Sequence, residues 1–353
     1  MFITGLGTAT PPNRYTQPEC WDALVASEYF PGLSPRSQAI LRKVLRGNNG
    51  ICSRYLAFDD LKEAFAMSPD VLDARFAKHA PAVATRAAER ALEDAGMTPG
   101  EVDAIVISTC TGYLCPGLSS YVSERLGLRS DSLALDLVGQ GCGAALPNMR
   151  TGEALIASGR ARNVLSICVE ICSAAMYLDE DPGVLISACL FGDGAGAAIL
   201  SAVHNSSRRR IEWKTAGTLL SPEDREELRF ERRGGMLRNI LSPAVPALAG
   251  KHVERVLNDV LQGAGVPREN VGAWILHAGG REILTAIQQR LGISEHDTRF
   301  SAAVLRDHGN VSSPCVYFVL QKALTEGAPG GQWWMSSFGA GFSCHGALLA
   351  VDK

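Results

Sequence analysis

Short apolar runs alternate with segments of helical periodicity along most of the chain. Apolar runs of about four to eight residues rich in β-branched side chains are typical of buried strands. They predict strands at Ala104–Thr109, Leu133–Val138, Val164–Glu170, Ala197–Ser201, Ala273–His277, Trp333–Phe338 and Ala347–Val351. Apolar residues at helical spacing predict helices at Pro81–Gly96, Ala144–Ser158, Lys251–Gln262 and Cys315–Leu324. Strands buried between helices predict an α/β fold with covered sheets.

The same pattern indicates two similar halves. The polar segment His204–Arg210 separates two strand-rich stretches and predicts a boundary between residues 1–205 and residues 206–353. Each half contains a glycine-rich run, Phe191–Leu200 in the first and Phe338–Ala347 in the second. We therefore predict an internal duplication.

Composition excludes several classes of protein. Hydrophobic residues make up 46% of the chain and charged residues 20%, as in ordinary globular proteins, and the net charge of -3 gives no reason to expect nucleic acid as a partner. The N-terminal segment lacks the basic stretch of a signal peptide, and no apolar run reaches the roughly 18 residues that span a membrane. The ten cysteines form no C-x-x-C pair, so we expect reduced thiols in a cytoplasmic protein without a metal site.

Cys142 is the strongest candidate for chemistry. It follows the strand-like run Leu133–Val138 and a glycine-rich turn, and it precedes a predicted helix. At a helix N-terminus, backbone N–H groups and the helix dipole favour the thiolate. The glycines on both sides leave room for a thioester, so this setting predicts a nucleophile.

Two further residues could act with this thiol. His277 ends a predicted buried strand and precedes Ala-Gly-Gly, which places its ring where the strand opens into a turn, and a nucleophilic cysteine usually works with a histidine. Asn310 follows Gly309 before a predicted helix. This position is typical of a helix cap, but next to a cysteine and a histidine its amide could instead donate to a thioester oxyanion. His308 is a possible further participant.

These segments together resemble the signature set of the type III polyketide synthases, the chalcone synthase-like enzymes. The motifs are Gln-Gly-Cys142, Leu-Phe191-Gly-Asp-Gly-Ala, His277-Ala-Gly-Gly, Gly-Asn310-Val-Ser-Ser and Phe338-Gly-Ala-Gly, and they occur in the family's order. The resemblance implies a thiolase-like fold, in which two duplicated halves form a layered αβαβα arrangement, and a homodimer.

The resemblance also implies roles for individual residues. Cys142 matches the family's nucleophile, His277 and Asn310 its decarboxylation and oxyanion pair, and Phe191 the gatekeeper between the coenzyme A tunnel and the cavity. The matches at substrate-contacting positions are Ser312, Cys110, Cys115, Cys172, Ala175, Phe338 and Gly339, with Cys115 reaching into the partner's cavity. Lys43 and Arg46 match residues that hold coenzyme A phosphates, with Arg54 as a rival.

The chain departs from the family in two places. The family's Gly-Phe-Gly-Pro-Gly loop reads Ser337-Phe-Gly-Ala-Gly341, which is less rigid without proline. The segment Arg229–Val245, where plant members carry a second gatekeeping phenylalanine, aligns poorly, so no second gatekeeper is assigned.

The resemblance implies an acyltransferase that uses acyl-CoA and malonyl-CoA and needs no further cofactor, because decarboxylation of malonyl-CoA supplies the carbanion. The small pair Ala174–Ala175 and the cysteines Cys110 and Cys172 favour a fatty acyl starter and an alkylresorcinol or alkylpyrone product. A synthase that makes tetrahydroxynaphthalene or another aromatic polyketide from malonyl-CoA or an aryl starter remains open. So does an enzyme similar to β-ketoacyl-ACP synthase III. The number of extensions and the mode of cyclisation also stay open.

Overall fold

The computed structural model describes residues 1–352. Its strands are β1 (Phe2–Ala9), β2 (Arg14–Thr16), β3 (Ser53–Tyr55), β4 (Ala104–Ser108), β5 (Leu133–Leu137), β6 (Asn163–Glu170), β7 (Gly194–Ser201), β8 (Ile211–Leu220), β9 (Leu228–Arg233), β10 (Met236–Leu241), β11 (Val271–Leu276), β12 (Gly331–Gly339) and β13 (Ser343–Val351). Its helices are α1 (Gln17–Val25), α2 (Pro35–Arg46), α3 (Pro69–Ala95), α4 (Leu118–Leu126), α5 (Ala145–Ala157), α6 (Pro182–Leu190), α7 (Val245–Ala264), α8 (Arg281–Leu291), α9 (Arg299–His308) and α10 (Cys315–Thr325).

Nine strands are hydrogen bonded in the order β11-β12-β13-β8-β1-β7-β6-β4-β5. In the first half, β1, β7 and β6 are successively antiparallel and β4 lies parallel to β6. The second half repeats this pattern, since β8, β13 and β12 are successively antiparallel and β11 lies parallel to β12. The halves meet where Phe2 of β1 pairs with Glu212 of β8. The two glycine-rich runs lead into β7 and β13, which hold equivalent places, so the predicted duplication is confirmed.

Helices form three layers around these strands. The long helix α3 covers the outer face of the first half, and α7 covers the outer face of the second. Between the halves lie α5, which contacts β6 and β13, and α10, which contacts β1 and β11. One apolar core lies under α3, and a larger one surrounds the central helices. This is the layered α/β arrangement that the resemblance implied.

The predicted elements are all present, although several boundaries differ. The helix predicted from Pro81 begins at Pro69, because the Ser68 hydroxyl accepts a hydrogen bond from the N–H of Val71 and caps an earlier start. The helix predicted at Lys251–Gln262 spans Val245–Ala264 and is closed by Gly265, which has a left-handed backbone.

The proposed boundary falls in the loop that joins β7 to β8 and therefore separates the two strand sets, but the division into residues 1–205 and 206–353 stays a prediction. Within residues 1–352, no helix is both long and apolar enough to cross a membrane.

Candidate active site

Cys142 lies in a single helical turn, residues 141–143, directly before α5. Gly141 has a φ of 54°, and a Cβ there would lie 3.0 Å from the backbone nitrogen of Ala340. A Cβ on Gly143 would lie 3.1 Å from the backbone nitrogen of Gly339. Glycine suits both positions, because Gly141 has a left-handed backbone and the turn packs closely against the end of β12. The two glycines thereby fix the cysteine between the halves.

The environment of the sulfur holds it as a thiol. Burial raises the pKa of Cys142 to about 12, while a hydrogen bond with Ser312 lowers it. The distance from the Cys142 Sγ to the Ser312 Oγ is 3.2 Å. The pKa of Cys142 is therefore raised, whereas the helix N-terminus alone predicts a lowered pKa. The reason is that desolvation of the thiolate outweighs the other contributions. The free protein therefore carries a protonated thiol at neutral pH.

His277 directly follows β11, and its backbone N–H donates to the Ser336 carbonyl at 3.0 Å. Its ring is 2% exposed and meets the Phe338 ring edge-on, with 5.1 Å between the centroids. Burial lowers the pKa of His277 to about 4, so its imidazole is neutral. Its Nδ1 atom has no hydrogen-bond partner among residues 1–352. A neutral ring with a free nitrogen can accept or donate a proton.

Asn310 connects the segments that carry the other two residues. Its side-chain nitrogen donates to the carbonyl of Gly279, in the turn after His277, at 3.1 Å. Its side-chain oxygen accepts from the backbone N–H of Ser312 at 2.9 Å. An amide nitrogen carries two hydrogens, so one remains for a ligand. Asn310 stabilises a local turn but does not cap α10, which begins at Cys315 after Pro314, and its role as an oxyanion donor stays a prediction.

A buried carboxylate lies behind this group and was missed by the sequence analysis. Glu170, at the end of β6, accepts hydrogen bonds from Thr109, from the backbone and hydroxyl of Thr111, from the backbone and thiol of Cys110, and from Ser313. Burial raises its pKa, and these donors lower it. The only available signal was a charged residue closing an otherwise apolar strand. Glu170 fixes the loop that carries Cys110, whose Sγ lies 3.8 Å from the Ser312 Oγ.

A cavity with about 430 Å³ of empty space, part of it open to solvent, adjoins Ser312. Its lining residues are Thr111, Cys172, Ala175, Met176, Tyr177, Val184, Ser187, Ala188, Phe191, Phe230, Leu237, Asn239 and Ser312. Four of the residues expected at the substrate site are among them: Phe191, Cys172, Ala175 and Ser312. The structure adds the hairpin of β9 and β10, which contributes Phe230 and Leu237. No gatekeeper had been assigned to this segment, and Phe230 lines the same cavity as Phe191.

The other residues expected to contact substrate do not line this cavity. Phe338 packs against His277, and Gly339 packs against the turn of Cys142. Cys110 lies behind Ser312. Cys115 is exposed on the surface, which leaves its predicted role at a partner subunit's cavity as a prediction.

The basic residues divide into exposed and buried groups. Lys43 and Arg46 lie exposed in the last turn of α2. Arg54, their rival in sequence, is 2% exposed and donates to the carbonyls of Ala188 and Phe191. It therefore caps the end of α6 and is unavailable to a phosphate at the surface. Arg281 donates to the carbonyl of Asn48 at 3.0 Å, which joins the start of α8 to the loop after α2.

Two family models together match most of the chain. Residues 35–220 match the model described as FAE1/type III polyketide synthase-like protein. Residues 217–350 match the C-terminal domain of chalcone and stilbene synthases.

Individual relatives agree with these matches. The chain is 30% identical to a 3,5-dihydroxyphenylacetyl-CoA synthase of Streptomyces toyocaensis, covering 98% of this chain and 89% of the relative. It is 28% identical to a 1,3,6,8-tetrahydroxynaphthalene synthase of Streptomyces peucetius subsp. caesius, covering 98% and 92%. The crystal structure of PKS-I from the brown alga Ectocarpus siliculosus superimposes with a TM-score of 0.89 at 27% identity, covering 99% of this chain and 97% of that one.

Proposed function

Because this chain belongs to the type III polyketide synthase family, with its thiolase-like fold, we propose that Cys142, His277 and Asn310 condense malonyl-CoA repeatedly onto an acyl starter. The observation that carries this assignment is the position of Asn310. Its amide contacts the turn after His277 on one side and the backbone of Ser312 on the other, and Ser312 contacts the sulfur of Cys142. These contacts link the three segments through Ser312, which lines the cavity, and they support the proposal.

The first half of the cycle loads the starter. The Cys142 sulfur attacks the thioester carbonyl of acyl-CoA, the C–S bond to coenzyme A breaks, and the coenzyme leaves as a thiol. Since Cys142 starts protonated, a base must remove its proton as the sulfur attacks. The neutral imidazole of His277 suits this step and can then pass the proton to the leaving sulfur.

The second half extends the chain. Malonyl-CoA binds with its thioester oxygen towards His277 and Asn310, and loss of CO2 leaves an enolate on that oxygen. Two preorganised donors in a water-poor site stabilise such a charge strongly. The enolate carbon then attacks the Cys142 thioester, and the C–S bond to Cys142 breaks. The lengthened chain is now a thioester of coenzyme A, and Cys142 attacks it again to reload the chain and release coenzyme A before the next round. Cyclisation ends the sequence.

We propose a fatty acyl starter and an alkylresorcinol or alkylpyrone product. The support is the lining of the cavity, in which Cys172, Ala175, Met176, Val184 and Leu237 offer an apolar surface. A second candidate is an aromatic product built from malonyl-CoA alone or on an aryl starter. It is favoured by the relatives, whose names specify dihydroxyphenylacetyl-CoA and tetrahydroxynaphthalene.

We further propose that Lys43 and Arg46 hold the phosphates of coenzyme A, joined by Arg281. All three are exposed, and the hydrogen bond from Arg281 to Asn48 places the start of α8 beside the loop that follows α2. Arginine and lysine side chains are the usual phosphate ligands of proteins.

The proposal includes a homodimer in the cytoplasm. The strand β5 forms one edge of the sheet, and apolar side chains are exposed there and near Cys115, namely Leu133 (44%), Val138 (60%) and Tyr113 (70%). Exposed apolar patches at strand edges are typical of association surfaces.

The proposed location in the cytoplasm is supported by the cysteines. Ten free thiols are consistent with a reducing compartment.

The decisive experiment supplies radiolabelled malonyl-CoA with a series of acyl-CoA starters of increasing length and identifies the products by mass. We expect long-chain starters to give alkylresorcinols or alkylpyrones. Products from malonyl-CoA alone, unchanged by added starters, would establish the second candidate. Malonyl-ACP is tested in parallel, because strict dependence on the carrier protein would indicate a β-ketoacyl-ACP synthase III-like enzyme instead.

A further inference from the structure

The ring of His277 is oriented by packing, because its Nδ1 atom has no hydrogen-bond partner among residues 1–352. A catalytic base is usually oriented by a third group that contacts it. Here that group is the Phe338 ring, which His277 meets edge-on at 5.1 Å between the centroids. A Cβ on Gly279 would lie 3.3 Å from the His277 Nε2 atom and 3.4 Å from the Phe338 ring, so both rings face the turn that Asn310 binds. The orientation of His277 therefore depends on what holds Phe338.

A second phenylalanine holds Phe338. The rings of Phe338 and Phe342 are parallel, with an interplanar angle of 1° and 6.0 Å between the centroids. Offset stacking at such a separation is a favoured arrangement of aromatic pairs. Both rings are buried, and close-packed surroundings leave a buried ring little room to turn. The loop between them, residues 339–341, packs against the turn of Cys142.

His252 of α7 contacts the other side of this pair. The centroids of the His252 and Phe342 rings are 5.4 Å apart, and the His252 Nε2 atom lies 3.0 Å from the Asp224 Oδ2 atom. His252 is buried, whereas Asp224 is partly exposed. Four buried rings thus form one continuous set, the aromatic row, which consists of His277, Phe338, Phe342 and His252.

The main chain fixes the part of the row that is farther from the site. Ser221 and Phe342 exchange two backbone hydrogen bonds, at 2.8 and 3.1 Å. The Ser221 hydroxyl donates to the Asp224 carboxylate at 2.7 Å. Phe342 is therefore held by its own backbone as well as by its ring contacts. Neither Phe342 nor His252 lines the reaction cavity, so an effect of either residue on the chemistry must pass through another side chain.

We propose that Phe342 is a positioning residue for His277, acting through Phe338, and that His252 holds Phe342 in turn. The inference rests on the proposed function, in which the His277 imidazole transfers a proton and stabilises the enolate oxygen. A misplacement of about 1 Å in a catalytic group can lower a rate by about 100-fold, even when the responsible substitution lies away from the chemistry. A row of packed rings behind His277 can therefore set its efficiency without touching substrate.

Removal of the central ring tests this role. Phe342→Leu keeps an apolar side chain, and we expect the kcat for release of labelled CO2 from malonyl-CoA to fall about tenfold because His277 loses its alignment. The KM for malonyl-CoA should stay within about twofold of wild type, since the substrate contacts remain. Phe300→Leu is the matched control, because Phe300 is similarly buried and forms no ring pair with His277 or Phe338 among residues 1–352. It should lower the urea midpoint similarly and retain the wild-type kcat.

A double-mutant cycle shows whether Phe342 acts through His277. In a His277→Gln background, Phe342→Leu should change the residual rate of CO2 release by less than about twofold, because the ring that it aligns is gone. The full loss in both backgrounds, or an equal loss in Phe300→Leu, would overturn the inference while leaving the proposed function intact. A wild-type rate in His277→Gln alone would instead refute the proposed role of His277 and the inference with it.

Variants of His252 test the other end of the row and do not require Phe342→Leu to fold. His252→Leu removes the ring, and we expect CO2 release to slow by about threefold in the wild-type background and to stay unchanged in the His277→Gln background. His252→Phe retains a ring against Phe342 and should restore most of the wild-type rate, since the partly exposed Asp224 can bind water. A wild-type rate in His252→Leu would contradict the proposal.

Discussion

The Sγ atom of Cys142 lies 3.2 Å from the Oγ atom of Ser312, and Ser312 holds this position with a backbone φ of 56°. Left-handed backbone is uncommon outside glycine, and such strain persists mainly at functional sites. The hydroxyl also makes the largest contribution that lowers the pKa of the thiol against the effect of burial. Ser312 therefore supports the nucleophile at a cost in local backbone energy.

Two substitutions of Ser312 separate these contributions. Ser312→Ala and Ser312→Gly both remove the hydroxyl, and each should slow acyl loading of Cys142 by about tenfold, which corresponds to roughly one pKa unit. Glycine tolerates the left-handed backbone, so Ser312→Gly should be about 1 kcal/mol more stable to urea than Ser312→Ala. Loading is measured by intact-protein mass after rapid mixing. Wild-type loading in both variants would show that the contact is incidental.

The pH dependence of alkylation tests the state of the thiol. Burial raises the pKa of Cys142 to about 12, so the reactive thiolate fraction should rise with pH throughout the neutral and mildly alkaline range. The rate of iodoacetamide labelling at Cys142 should increase about tenfold per pH unit from about pH 6 to pH 9. A rate that is already constant below pH 7 would instead indicate an ion pair with a protonated His277.

The sequence was most informative where a candidate catalytic residue comes after a buried strand. The position of His277 after an apolar run predicted its emergence beside the site, and the glycines around Cys142 predicted a tight turn before a helix. The protonation states of Cys142 and His277 could not be predicted in the same way. They depend on how much water the folded halves exclude, and burial sets the direction in which each pKa shifts.

The hairpin of β9 and β10 is a second feature that could not be predicted from the sequence. Its first strand reads Leu-Arg-Phe-Glu-Arg-Arg, which has too few apolar residues to predict a strand beside a cavity. Phe230 is placed there by tertiary contacts. Likewise, Glu170 closes an apolar strand, and its role is visible only through the donors that converge on it from other segments.

The separate roles of His277 and Asn310 can be distinguished. Asn310→Ala should lower decarboxylation of malonyl-CoA by about 100-fold, as expected for loss of an oxyanion donor, and leave acyl loading within a few-fold of wild type. His277→Gln should impair both steps, because the ring also takes the thiol proton during loading. Release of labelled CO2 and the mass of the loaded protein report the two steps. Equal loss of loading in both variants would contradict this division.

Phe230 should limit the size of the product. Phe230→Ala enlarges the cavity, so we expect products with at least one more malonyl-derived unit, identified by mass spectrometry. Arg232→Ala, an exposed position on the same strand, is the control and should leave the products unchanged. An identical product profile for Phe230→Ala would exclude this residue from the control of chain length.

The growth of a polyketide on the sulfur of Cys142 can be followed directly. Wild-type protein is mixed with a long-chain acyl-CoA, with and without malonyl-CoA, quenched in acid, digested and analysed by mass spectrometry. We expect the starter on the peptide that contains Cys142 and, with malonyl-CoA present, an increase of one C2H2O unit per extension on that same peptide. A starter bound elsewhere, or a Cys142 adduct whose mass never changes in the presence of malonyl-CoA while product forms, would contradict it.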